Sequence, residues 1–148
     1  MCEFVSYVEK GNKIYFLTHG QVFNTKKGEL LQKFNGTDTD YAGHGAIRFY
    51  YGLEQDEGAN KECTDFSTPD NFPSVIVRAI KEGKMRRIGI GKGLLNGQAW
   101  AEYGKITGQA LAEYEKITGQ ASAEYRKIRD PAFWDLFAVL ENRNPLWI

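Results

Sequence analysis

An 11-residue repeat in the last third of the chain is the feature that most restricts the possible folds. Three units, GQAWAEYGKIT, GQALAEYEKIT and GQASAEYRKIR, begin at Gly97, Gly108 and Gly119, and a degenerate fourth unit follows them. Eleven residues make three helical turns at about 3.67 residues per turn, so each position of the unit returns to the same side of a helix. The recurring Ala, Tyr and Ile predict one long apolar stripe. We therefore expect an amphipathic helix over residues 97–129, which Pro131 ends or kinks.

A single helix cannot bury such a stripe by itself. The stripe is longer than the preceding part of the chain could cover, which predicts pairing with a second copy and a homodimer or a higher oligomer built from dimers. The glycines of the repeat would let another backbone approach closely. The alternative is that the helix tolerates them at a cost of about 1 kcal/mol each.

Composition excludes several classes of protein. The chain has 148 residues, 42% of them hydrophobic, and its 19 Lys and Arg balance its 19 Asp and Glu. No global charge therefore favours DNA, RNA or an anionic membrane, and no apolar run reaches the roughly 18 residues of a membrane span. Two cysteines, Cys2 and Cys63, are too few for a disulfide framework or a four-ligand zinc site. We expect a cytoplasmic protein that holds no metal and no cofactor.

The residues before the repeat predict a small α+β domain over 1–96, followed by a dimerising helical segment over 97–148. In this fold a small N-terminal antiparallel β-sheet with short helices precedes the long amphipathic helix. The expected elements are a β-hairpin within residues 1–23, a third strand over 62–66, and helices over 25–34, 46–51 and 74–82. In the first of these helices, Leu30, Leu31 and Phe34 are expected to share one apolar side.

Residues 84–93, KMRRIGIGKG, carry the strongest chemical signal. Four cations lie within nine residues, and three spaced glycines allow backbone N–H groups to turn toward an anion. The spacing matches neither the phosphate-binding P-loop nor the dinucleotide fingerprint. Two interpretations stay open, a phosphate-binding loop and a solvated basic turn after a helix.

The sequence also contains the residue types of a possible catalytic pair. His44 and Cys63, with Asp65 nearby in sequence, are the residue types of a nucleophilic Cys–His site. Nothing in their spacing indicates such a pairing, and a histidine at a helix start and a small buried thiol account for the same residues. We therefore expect no enzymatic activity, with a Cys/His hydrolase as the less favoured alternative.

The segments GHGAIRFYYG and KECTDFSTPDNFP, the basic glycine-rich loop and the AEYxKI helix together resemble small phage proteins of unassigned function. They are also similar to the first-described family of phage Thoeris anti-defence proteins. This resemblance implies an N-terminal β-sheet region, long C-terminal helices and assembly from dimers. It also implies a sequestering protein, or sponge, in the cytoplasm of the infected bacterium. Such a protein binds glycocyclic ADP-ribose, or in some members cyclic oligonucleotides, and does not degrade the ligand.

The resemblance turns the basic loop and its surroundings into a candidate ligand site. A ligand with two phosphates needs cationic donors, its adenine needs an apolar platform, for which Met85 and Ile90 are expected, and the amide of Asn96 could contact the base or ribose. The candidate residues are Arg48, Lys61, Met85, Arg86, Arg87, Ile90, Lys92 and Asn96. The alternative from another class is a structural or adaptor phage protein that docks a partner through the repeat helix.

Overall fold

A three-stranded antiparallel sheet forms the N-terminal part of the fold. The computed structural model describes residues 3–35, 43–89, 91–116 and 121–148. Strand β1 (Val5–Lys10) lies between β2 (Lys13–Tyr15) and β3 (Ala59–Cys63), and Gly11, with φ of +61°, makes the turn of the β1–β2 hairpin. The predicted α+β class and N-terminal hairpin are confirmed. The third strand ends earlier than predicted because Phe66 leaves the sheet and is buried in the core.

Four short helices surround the sheet. They are α1 (His19–Phe23), α2 (Lys26–Asn35), α3 (His44–Tyr51) and α4 (Ser74–Lys81). Helix α2 begins where predicted because the Thr25 hydroxyl accepts a hydrogen bond from the Gly28 amide at 2.9 Å. Helix α3 ends at Gly52, whose left-handed φ of +65° suits a residue without a side chain. Helix α1 was not predicted, since its sequence HGQVF is too short to show periodicity.

Helix α2 presents a different face to the core than the sequence predicts. Leu31 is fully buried, whereas Leu30 is 55% exposed and Phe34 is 67% exposed. The reason is Gly28, because a Cβ there would lie 2.1 Å from the Val22 carbonyl oxygen. This close approach fixes the side of α2 that contains Gly28 and Leu31 against α1 and turns Leu30 and Phe34 outward.

The C-terminal region is a pair of antiparallel helices. Helix α5 (Gly97–Lys116) packs against α6 (Ala121–Ala138), with ring centroids 5.4 Å apart for Tyr103 and Phe133 and 6.2 Å apart for Tyr114 and Tyr125. The prediction of one helix over 97–129 is therefore wrong. Pro131 lies inside α6 instead of ending it.

Helix α6 covers much of the apolar stripe on α5. Ala99, Tyr103 and Ala110 are buried, and Ile106 is half-buried. The part of the stripe around Tyr103 finds its partner within the same chain, in Phe133 of the degenerate fourth unit, so burial of that part does not require a second copy.

The tail after α6 returns to the N-terminal part of the fold. Trp147 is fully buried and its indole Nε1–H donates to the Phe66 carbonyl at 2.8 Å. Residues on both sides of the domain boundary predicted at residue 96 belong to the same apolar cluster. None of the helices within the described ranges is long and apolar enough to cross a membrane.

Candidate anion-binding site beside the basic loop

The basic loop that follows α4 is held by hydrogen bonds to α1. Gly83 ends α4 with a φ of +72°. The backbone N–H of His19 donates to the Lys84 carbonyl at 2.7 Å, and its Nδ1–H donates to the Arg86 carbonyl at 3.1 Å. The loop therefore has a defined backbone that positions the side chains of Arg86 and Arg87.

The two neighbouring arginines of this loop contact different residues. Arg87 adopts φ of +64°, the left-handed region that non-glycine residues seldom occupy. Its guanidinium carbon lies 3.9 Å from the Phe23 ring centroid on α1. Arg86 instead pairs with Asp135 of α6 through an Nη1–Oδ1 contact of 2.8 Å. The two guanidinium groups therefore have separate partners, a ring of α1 and a carboxylate of α6.

Two of the three glycines in the loop are explained by packing. A Cβ on Gly91 would lie 2.6 Å from the Phe66 ring, and a Cβ on Gly93 would lie 2.3 Å from the Phe66 backbone. No side chain fits at either position without moving Phe66. These glycines allow the loop to lie against a buried aromatic residue, which accounts for them without a bound phosphate.

Lys92 lies at a separate groove of about 440 Å³, whose lining includes two carboxylates, those of Glu3 and Asp65. Hydrogen bonds from Ser67 and then from Asn71 lower the pKa of Asp65, so this group is a carboxylate at neutral pH. Lys92 therefore lies among negative charges, which disfavour a phosphate in this groove.

The other candidate residues have structural contacts. Arg48 is buried, and its Nη1 donates to the carbonyls of Glu54 and Glu57 at 2.5 Å each. Met85 is 2% exposed and is part of the core. Asn96 caps α5 by accepting from the Ala99 amide at 2.9 Å.

The surroundings of Arg48, Met85 and Asn96 disagree with the ligand-binding roles predicted for them from the sequence. The donors of Arg48 are occupied by the loop after α3, Met85 offers no exposed platform to a base, and the amide of Asn96 is held at a helix start. Lys61 is exposed on β3, next to Asn60, whose side chain accepts a hydrogen bond from Arg48 at 2.8 Å. Ile90 lies outside the described residues.

A different pocket, of about 200 Å³, combines cations with aromatic rings. Its lining contains the cations Lys81, Arg86 and Arg143 and the aromatic residues Trp134 and Phe137. It also contains Glu82, whose carboxylate is paired with Lys84 at 2.5 Å. We call this set of six side chains the basic pocket, with Lys81, Arg86, Arg143, Trp134, Phe137 and Glu82 as its members.

Arg143 is fixed within the basic pocket. Its Nε–H donates to the Phe137 carbonyl at 2.7 Å and its Nη1–H to the Lys81 carbonyl at 3.1 Å. Its guanidinium carbon is 4.1 Å from the Phe137 ring centroid. Burial lowers the pKa of Arg143, but the ordinary pKa of a guanidinium lies so far above neutrality that the group remains a cation.

Sequence analysis identified only Arg86 of this pocket. Lys81, Arg143, Trp134 and Phe137 carry no chemical signal of their own in the sequence. Arg143 reaches the pocket because the 3₁₀ turn at Leu140–Asn142 and a β-bridge between Leu95 and Arg143 hold the tail beside α4. No local pattern in the sequence encodes that juxtaposition.

The proposed Cys–His pair has little support in the geometry. Cys63 is buried, and burial raises the pKa of its thiol, which disfavours the reactive thiolate. The Nε2–H of His44 donates to the Lys61 carbonyl at 2.9 Å, so this nitrogen is occupied. Within the part of the chain that the structure describes, no three His, Cys, Asp or Glu side chains are grouped so that they could hold a metal ion.

Comparisons with known proteins do not identify a relative. No protein-family model, no curated protein and no solved structure matches this chain. The contacts and charges of the basic pocket therefore carry the functional interpretation.

Proposed function

We propose that the protein binds and sequesters an anionic cyclic nucleotide, such as glycocyclic ADP-ribose or a cyclic oligonucleotide, without degrading it. The observation that carries the proposal is the convergence of Lys81, Arg86 and Arg143 beside two aromatic rings. Guanidinium and ammonium groups recognise phosphate, and the two buried rings give these cations an apolar floor. The resemblance to phage anti-defence proteins suggests the biological setting, a viral protein in the cytoplasm of an infected bacterium.

The basic pocket accounts for one end of such a ligand. A volume of about 200 Å³ is below the roughly 300–1,000 Å³ that small-molecule sites commonly enclose. The proposal is therefore that the pocket holds one phosphate together with its adjoining ribose or base.

The proposal of sequestration is tested by the fate of the ligand. After incubation with glycocyclic ADP-ribose, removal of unbound ligand and heat denaturation, we expect mass spectrometry to recover the ligand unchanged. We expect the same result for Cys63→Ser and His44→Gln, with affinity within a few-fold of the wild type, because neither side chain lines the pocket. A product that forms with the wild type and disappears in either variant would show that the protein is an enzyme.

Self-association through the C-terminal helices remains part of the proposal, on a smaller surface than the sequence indicated. Leu111 and Ile128 are 42% and 47% exposed, and Tyr114 between them in sequence is 37% exposed. We expect light scattering to show a dimer, or a multiple of one, for the wild type and a monomer for Leu111→Asp/Ile128→Asp, because two buried charges oppose association. A control variant, Val139→Asp/Leu140→Asp, changes equally exposed side chains elsewhere. A monomeric wild type at micromolar concentration would contradict this prediction.

A further inference from the structure

An apolar patch on α2 and α3 is not used by the proposed ligand site. It consists of Leu30, Phe34 and Phe49, which are 55%, 67% and 42% exposed. The rings of Phe34 and Phe49 stack with centroids 4.8 Å apart and an angle of 14° between their planes. Single exposed apolar side chains are common on protein surfaces, but a contiguous group across two helices indicates an interaction site. We call these three residues the aromatic patch.

The exposure of the aromatic patch follows from how α2 packs. Gly28 and Leu31 are buried against the fold, and the close contact of Gly28 with Val22 leaves α2 no freedom to rotate. Leu30 and Phe34, four residues apart, are then neighbours on the outer face of the helix. Burying them on a partner would contribute about 1.5–3 kcal/mol per side chain.

Among the described residues of α2, the charges next to the aromatic patch are predominantly positive. Lys26 and Lys27 lie one turn before Leu30, and Lys33 directly precedes Phe34, whereas Glu29 is the single acidic residue of α2. The ammonium group of Lys27 lies 5.6 Å from the ring centroid of Tyr50, which places it beside α3 as well. An apolar centre with a cationic rim is complementary to an apolar surface with an acidic rim.

We propose that the aromatic patch is a docking surface for an acidic, amphipathic protein segment, in which a helix places apolar side chains on Leu30, Phe34 and Phe49. A second copy of the chain fits less well, because a two-fold contact at this face would bring the lysines of both copies together. An anionic membrane fits less well too, since surface attraction of this kind uses clusters of about four to eight cations. The inference does not depend on the proposed nucleotide site.

The test uses a labelled synthetic helix with leucines at positions i, i+3, i+4 and i+7 and glutamates elsewhere, and a matched peptide in which every glutamate is lysine. In fluorescence anisotropy we expect the acidic peptide to bind the full-length protein at least about tenfold more tightly than the basic peptide. Phe34→Ser/Phe49→Ser should weaken binding by about tenfold or more, and Lys26→Glu/Lys27→Glu by about tenfold. The control Val139→Ser/Leu140→Ser, which changes exposed apolar residues outside the patch, should bind within about twofold of wild type.

Three results would overturn the proposal. One is that the acidic and basic peptides bind with equal affinity, or that neither peptide binds. Another is sedimentation of the wild type, but not of Phe34→Ser/Phe49→Ser, with vesicles of phosphatidylserine and phosphatidylcholine, which would make the patch a membrane surface. The third is a wild-type dimer that the same variant converts to a monomer, which would assign the patch to a second copy. Circular dichroism of each variant verifies that these surface changes leave the fold intact.

Discussion

Replacing Lys81 and Arg86 together with alanine is expected to weaken the binding of glycocyclic ADP-ribose or a cyclic dinucleotide by about 100-fold or more. Both side chains line the basic pocket, and each would donate a charge-assisted hydrogen bond worth about 1.5–3 kcal/mol. Since about 1.4 kcal/mol corresponds to a factor of ten, losing two such bonds gives at least this effect. Calorimetric titration of the wild type and the variant measures it.

The matched control is Arg87→Gly/Lys92→Ala. It removes two cations from the same basic loop, so its net charge equals that of the test variant, but neither residue lines the basic pocket. Glycine at position 87 also accepts the φ of +64° without strain. We expect its affinity to stay within about threefold of wild type. Equal losses in the two variants would mean that the protein attracts anions only through its general charge. A loss in the control alone would place the ligand at Arg87 or Lys92.

Replacing Asp135 is expected to have the opposite effect, an increase in nucleotide affinity. Its carboxylate holds Arg86 in an ion pair whose two side chains are 67% and 38% exposed. A bound phosphate would have to compete with Asp135 for this guanidinium, so Asp135→Asn should raise affinity by a few-fold. The cost in stability should be small, because exposed ion pairs contribute about 0–1 kcal/mol. A decrease in affinity would mean that the ion pair positions Arg86 for the ligand.

Local elements of this fold could be predicted from local patterns, and the site could not. The start of α2 at Thr25, the end of α3 at Gly52 and the β1–β2 hairpin each depend on contacts between residues close in sequence. The basic pocket depends instead on the tail, which places Arg143 on the Lys81 carbonyl. Charge density drew attention to Arg86, but the left-handed backbone of Arg87, whose side chain lies over Phe23 instead, has no signature in composition.

The repeat shows a second limit of periodicity. Spacing predicts which residues share a helical face, and Ala99, Tyr103 and Ala110 are indeed buried together. It does not specify what covers that face. Phe133 and a second copy of the chain would compete for contact with Tyr103. Phe133 belongs to the same chain, so its contact with Tyr103 loses only the conformational entropy of closing the loop between the two helices.

Gly93→Ala and Gly104→Ala are expected to change stability in opposite directions. A Cβ on Gly93 would lie 2.3 Å from the backbone of Phe66, whose carbonyl accepts the indole N–H of the buried Trp147. Moving this backbone disturbs the core, so we expect a loss of about 2–3 kcal/mol in the free energy of unfolding. A Cβ on Gly104 of α5 meets no atom within 4 Å, and alanine there should stabilise the protein by up to about 1 kcal/mol. Urea denaturation of both variants measures the two changes.

The pair of variants also decides what the loop glycines are for. If Gly93 also served a phosphate through its backbone N–H, the folded Gly93→Ala protein would bind nucleotide more weakly, because the loop backbone must shift to make room for the Cβ. If Gly93 serves only the contact with Phe66, Gly93→Ala should lower the free energy of unfolding. The folded variant should still bind nucleotide nearly as well as the wild type, because Gly93 is not part of the basic pocket. Gly104→Ala corrects for the general effect of removing a glycine, which restricts the unfolded chain in both variants alike. Weakened nucleotide binding by folded Gly93→Ala protein would therefore assign the anion site to the glycine-rich segment instead of the basic pocket.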